Sequence, residues 1–211
     1  MKGSSVFVIA GMLLSAAACG NLKESDDSVF LIGGACGIDG LHAPWDGLDD
    51  STSVKIISGP DDLYFLYEVL DTTVTLTEDF KAEADVEPED RVEVFFSPGP
   101  DMEIYYCAEI DPLGRVLDYS CRYPSKMDYS WDFSTLHVLS GLCDRGYTVA
   151  FKVSKKELES LGVDLSSGFY MGIFRADFRP DGSVNWYSHV SSEDESPNFH
   201  QPKMLFPVKV E

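Results

Sequence analysis

Residues 91–118, RVEVFFSPGPDMEIYYCAEIDPLGRVLD, constrain this chain more than any other stretch. Apolar and acidic residues alternate through Val92-Glu93-Val94-Phe95, and a period of two belongs to a strand with one face covered. Ser97-Pro98-Gly99-Pro100-Asp101 is a dense turn cluster, because Pro fixes φ and Gly reaches backbone angles other residues avoid. Residues 103–110 return as a second strand, Asp111-Pro112-Leu113-Gly114 turns again, and residues 115–119 leave as a third. Glu93, Glu103 and Glu109 ride on these strands. They are either the wet face of a sheet or part of a polar site.

The same signals recur along the chain. Residues 29–33, 53–58, 63–69, 134–140, 146–153, 168–178, 184–188 and 204–210 read as further strands, with 53–58 and 63–69 joined as a hairpin across Gly59-Pro60-Asp61-Asp62. Ile38-Asp39-Gly40 and the run to Trp45 read as loop, residues 71–88 as an acidic connection, 119–132 as irregular and aromatic, and 191–200 as a loop. One helix is predicted. Ser154-Lys155-Lys156-Glu157 matches a capping box, Leu158 and Leu161 form its apolar face, and Gly162 stops it. About ten strands, turns at short intervals and one short helix predict an all-β fold, a single β-sandwich with jelly-roll or immunoglobulin-like layering. A hydrophobic content of 44% gives it enough apolar surface for a core.

The beginning of the chain reads as targeting rather than fold. Lys2 is followed by an apolar run over 6–18, too short to span a bilayer, and Ala16-Ala17-Ala18 precede Cys19. This resembles a bacterial lipoprotein signal, in which Cys19 is lipidated and becomes the first mature residue. An ordinary signal peptide cut after Ala18 is the alternative, and both readings export the chain to the cell envelope. Residues 1–18 are then the signal, 19–28 a polar tether and 29–211 one domain. In an exported chain Cys36, Cys107, Cys121 and Cys143 are open to oxidation, so disulfides and buried thiols both stand. A net charge of −20 repels phosphate backbones and anionic headgroups. Nucleic acid is therefore set aside, and membrane contact is left to the lipid anchor.

Catalytic signatures are missing: the sequence holds no G-x-S-x-G, H-E-x-x-H, Walker loop or G-x-G-x-x-G. Carboxylates are so numerous that a pair at glycosidase distance arises by chance. His42, His137, His189 and His200 have no partner at metal-ligand spacing, and calcium in the acidic loops is left open. What remains is a cluster of Trp186, Phe199 and His200 beside the last loop, with Arg175 on the strand before it. Flat rings stack on the C–H faces of sugars while charged and amide groups bond the hydroxyls. The competing reading puts Trp186 and Phe199 in the core and pairs Arg175 with an inward carboxylate.

Taken in order, Ile38-Asp39-Gly40…Trp45, SVKIISGPDDLYFLYEVLD, DRVEVFFSPGPD, YYCAEIDPLG, RGYTVAFKVS, GFYMGIFRADF and NFHQPKMLF resemble the family 9 carbohydrate-binding modules, and more closely their divergent relatives in exported lipoproteins, over about residues 36–210. The resemblance implies a β-sandwich related to DOMON domains that binds sugar chain ends between two tryptophans, helped by Glu, Arg and Asn. It places the strand glutamate at Glu93 and the second sandwiching ring at Phe199. The first ring would fall near Glu87 and the family's arginine near Glu109, so neither is kept. Arg175, Trp186 and His200 match the divergent relatives. The resemblance thus implies a non-catalytic glycan-binding lipoprotein with no required cofactor. A haem-binding DOMON module, with Met102 or Met171 and His189 as axial ligands, and an accessory part of a glycoside hydrolase are the alternatives.

Overall fold

A computed structural model describes residues 20–21, 29–45, 47–124 and 126–211. The signal segment, Cys19 and most of the tether lie outside the described residues. In chain order the strands are β1 (Gly20–Asn21), β2 (Phe30–Ile32), β3 (Ala35–Ala43), β4 (Leu48–Ser58), β5 (Asp62–Leu70), β6 (Arg91–Ser97), β7 (Tyr105–Ile110), β8 (Val116–Arg122), β9 (Lys126–Asp128), β10 (His137–Cys143) and β11 (Gly146–Ser154). After the helix α1 (Lys155–Ser160) come β12 (Phe169–Phe178), β13 (Val184–Ser188) and β14 (Phe206–Val210). The fold is all-β, as expected, and no helix among the described residues is long and apolar enough to cross a membrane.

The strands follow one hydrogen-bonded path, β10-β11-β5-β4-β3-β13-β12-β6-β7-β8-β9. Its thinnest point is between β3 and β13, where Ser188 and His42 are the one paired position. The chain folds over there, giving two layers. β14 continues the second layer by pairing with the Phe169–Met171 end of β12, while β13 pairs with the other end of β12. Val54, Ile56, Phe65 and Phe151 from one layer meet Val92, Val94, Phe96 and Ile173 from the other in the main core. Phe65 and Phe96 touch edge to face across it, with ring centroids 5.9 Å apart.

Three local expectations are corrected. Residues 38–40 lie in β3, not in a loop; the strand carries a bulge between Asp39 and Leu41, and Gly40 takes φ +85° there, so a bulge reads as a turn in sequence. The capping box does not form. Ser154 makes no side-chain cap, and the Glu157 carboxylate instead accepts the backbone N–H groups of Ser134 and Thr135. The far end of the helix does behave as read, with Gly162 at φ +87° and the N–H groups of Gly162 and Val163 bonded back to Glu159 and Leu158. Finally, β6 is not half-buried: every residue from Arg91 to Ser97 is buried. Something covers the second layer on its outer side too.

Candidate functional site

That cover makes the site. Alternation along β6, β7, β8 and β12 sends Arg91, Glu93, Phe95, Tyr105, Cys107, Glu109, Tyr119 and Phe174 to the outer face of the second layer. The aromatic members join a second hydrophobic cluster with Phe199, Met204 and Leu205 from the segment that follows β13. This strap lies across the face. Gly172 admits it, since a Cβ there would stand 2.7 Å from the Leu205 side chain and 2.3 Å from the Phe174 ring.

Phe199 stacks on Phe174, centroids 4.2 Å apart and 13° from parallel, and meets Trp186 edge-on at 5.5 Å and Trp45 at 5.9 Å. It is only 5% exposed. His200 follows, its ring 4.9 Å from Phe95 and its Nδ1 2.9 Å from the Tyr105 hydroxyl. Burial, with the Arg91 guanidinium adding to it, pulls the His200 imidazole down to about 4. The strap's other polar bonds stay mostly within itself, with Gln201 and Lys203 both bonded to Asp194.

Beneath the strap lies a buried polar group. Arg91 Nε stands 2.9 Å from Glu93 Oε1 and 2.6 Å from Glu109 Oε2. All three atoms are buried and meet one another as close ion pairs. The guanidinium is held by its Nη1, which donates to the Glu87 carbonyl at 2.6 Å, and by the Trp186 ring 5.5 Å away. Tyr119 donates to Glu109 Oε1 at 2.6 Å. One guanidinium cannot balance two carboxylates, and burial, with repulsion from Glu109, raises the Glu93 carboxyl to about 8.

Of the residues expected from sequence, Glu93, Trp186, Phe199 and His200 therefore converge on one face. Arg175 does not join them. It points the other way from β12, between the layers, where it bonds Asp50, Asp71 and Tyr147. Its place in the site is corrected: on β12 it shares parity with Ile173, a core residue, rather than with Phe174. Of the haem candidates, Met171 is in the main core, Met102 in the outer cluster, and His189 packs edge-on against Phe30 and Phe206.

The open part of the face is a groove of about 730 Å³ beside the strap. It is lined by buried Leu117, by Phe80 and Tyr129, and by Glu83, Glu87 and Asp132. Sequence reading missed it. Phe80 comes from the acidic connection, which Arg115 anchors by bonding Glu89 at 2.8 Å and stacking on the Phe80 ring at 4.3 Å. Tyr129 comes from just past the β8–β9 hairpin, is 50% exposed, and lies 5.1 Å from Tyr119. Its hydroxyl reaches the Glu87 carboxylate at 3.4 Å. Tyr129, far from Glu87 in sequence, thus stands beside it in the fold.

Among the described residues, two groups of three carboxylates have oxygens within 4.8 Å of one another: Asp71, Asp90 and Asp177, and Glu83, Asp118 and Asp132. In the first, Arg175 and Arg179 bond Asp71 and Asp177, so guanidinium charge stands where a calcium ion's would. In the second, burial with repulsion from Asp132 and Glu83 raises Asp118 to about 6.

No family model matches the sequence, and no curated protein matches it. Solved structures do. One is a protein of Bacteroides uniformis ATCC 8492 described as a "putative carbohydrate-binding protein", with a TM-score of 0.66 and 17% identity over 82% of this chain and 85% of that one. Another is a family 9 carbohydrate-binding module of Caldicellulosiruptor kristjanssonii in complex with cellotriose, with a TM-score of 0.52 and 16% identity over 76% of this chain and 75% of that one. The fold of this chain is family 9-like.

Proposed function

We propose that the chain is a non-catalytic carbohydrate-binding protein, exported and held at the bacterial cell envelope by lipid on Cys19, that stacks sugar rings on the outer face of its second layer. The observation that carries this reading is the open groove lined by Phe80 and Tyr129, at the end of a run of aromatic rings that reaches Tyr129 through Tyr119. Stacked rings supply apolar burial against the sugar's C–H face. Glu83, Glu87 and Asp132 at the rim are acceptors for its hydroxyls. The fold shared with a module solved around cellotriose supports the same class of ligand. Trp186, partly exposed, and the covered group of Glu93, Phe199 and His200 lie on the same face. The apolar run before Cys19 supports the anchor.

A glycan array followed by titration of the best binder tests it. Tyr129→Ala removes a half-exposed ring, so affinity should fall about tenfold, or roughly 1.4 kcal/mol, with the thermal midpoint almost unmoved. Trp186→Ala and Phe199→Ala map how far the ligand runs toward the strap. Binding to no glycan, or a Tyr129→Ala protein that binds as well as the parent, sinks the reading.

A further inference from the structure

The two ends of the strand path are built differently. β9 is three residues long and carries Lys126 and Asp128, which is how an edge is kept from pairing with another chain. β10, at the other end, is seven residues, HVLSGLC, with no Asp, Glu, Lys, Arg or Pro and no bulge in its pairing with β11. Its outer edge has no strand partner among the described residues. Most of the exposed large apolar side chains gather around it. Leu139 and Leu142 are on β10, and Leu70 pairs with Gly146 at the start of the neighbouring β11. Leu113 precedes Gly114, which packs on Val138 and Ser140. In a chain of net charge −20 this neutral, apolar edge is one place where a second copy can approach without meeting its own charge.

We propose that the protein forms a two-fold dimer by antiparallel pairing of β10 with β10, extending the first layer across both copies. Centring the axis on Ser140 sets Leu139 opposite Gly141, Val138 opposite Leu142, and His137 opposite Cys143. Beyond the strand, Thr135 comes opposite Arg145. The Glu157 carboxylate is bonded to Thr135, so each copy's Arg145 meets an acid of the other. The edge is thus self-complementary in shape and in charge, as a two-fold interface requires.

Sedimentation velocity of the full chain across a wide concentration range tests this. A monomer–dimer equilibrium is expected, strengthened by added salt, which screens the general repulsion between two acidic molecules. Leu139→Lys puts like charges near the axis and should raise the dimer dissociation constant about tenfold or more. Separately, His137→Cys brings a thiol opposite the exposed Cys143 of the other copy. Mild oxidation should then give a covalent dimer that the parent does not form. A protein that is monomeric at every concentration, a dimer indifferent to Leu139→Lys, or a His137→Cys chain that does not cross-link overturns the proposal.

Discussion

Arg91 and Arg175 are both buried among acids on neighbouring strands, one register step apart, and point to opposite faces of the same sheet. Between the layers, Arg175 has a partner on every nitrogen: Asp50 at 2.9 Å, Asp71 at 2.5 Å and Tyr147 at 3.4 Å. On the outer face, Arg91 Nε is shared between two carboxylates, Glu93 at 2.9 Å and Glu109 at 2.6 Å. A matched buried charge is a structural pin. On the outer face one guanidinium serves two carboxylates, so that buried group is left with an unbalanced charge. The same contrast separates the two aromatic populations. Phe65, Phe96 and Phe151 are sealed between layers, while the rings from Phe174 to Tyr129 run out toward solvent.

The comparison breaks most visibly at Arg175. Arg175→Met would leave Asp50 and Asp71 without the guanidinium that pairs them, and removing one partner of a buried pair costs about 3–5 kcal/mol. Urea unfolding should show that loss, with glycan binding retained by whatever fraction stays folded. A variant of unchanged stability that no longer binds glycan would reverse the roles assigned to the two arginines.

Glu93→Gln probes the other side with a smaller effect. The Glu93 carboxyl titrates near 8 in the folded protein and near 4.5 when unfolded. Between those values the folded chain binds the extra proton, so this group's contribution to stability falls as pH rises through that window. A tenfold difference in proton affinity is worth about 1.4 kcal/mol, so the loss by pH 8 is on the order of a few kcal/mol. Glutamine has no proton to lose. The variant should gain on the parent steadily from pH 5 to pH 8, read as the difference between their unfolding midpoints. A constant difference across that range would mean Glu93 is ionised in the folded state.

How much of this was legible in the sequence follows from where the signals are local. Alternation and turn residues located the hairpins around β6, β7 and β8, because side-chain period and turn chemistry are set within a few residues. Parity also carries the correction to Arg175, since counting along β12 from core Ile173 puts Arg175 inward. The groove was not legible. Phe80 and Tyr129 come from two segments without a regular period, and the Arg115–Phe80 stack and the contacts of Tyr129 with Tyr119 and Glu87 bring them together. Nor was the strap, because SSEDESPNFH is mostly polar, and Phe199 and His200 at its end give no sign in sequence that it covers a sheet. Glu157 shows the limit of local motifs: its spacing from Ser154 fits a cap, yet the neighbouring backbone at Ser134 and Thr135 claims it.

His200 gives the finest test of the same contrast, because it joins the strap to the mismatched group. Its imidazole titrates near 4 in place and near 6.5 when unfolded. Below 6.5 the unfolded chain takes up a proton that the folded chain refuses, so stability falls as the pH drops from 6.5 toward 4. By pH 5 this amounts to roughly 1–2 kcal/mol. His189, also depressed to about 4 by burial, adds a similar slope from its own place against Phe30 and Phe206, so the quantity to compare is a difference between proteins. His200→Gln keeps a hydrogen-bonding group near Tyr105 and Tyr119 but has nothing to titrate. It should start less stable than the parent at pH 7, having lost the contact with Phe95, and close that gap by pH 5. If the gap stays the same at both pH values, the imidazole is already open to protons, and the strap is a loose cover rather than a packed part of the face.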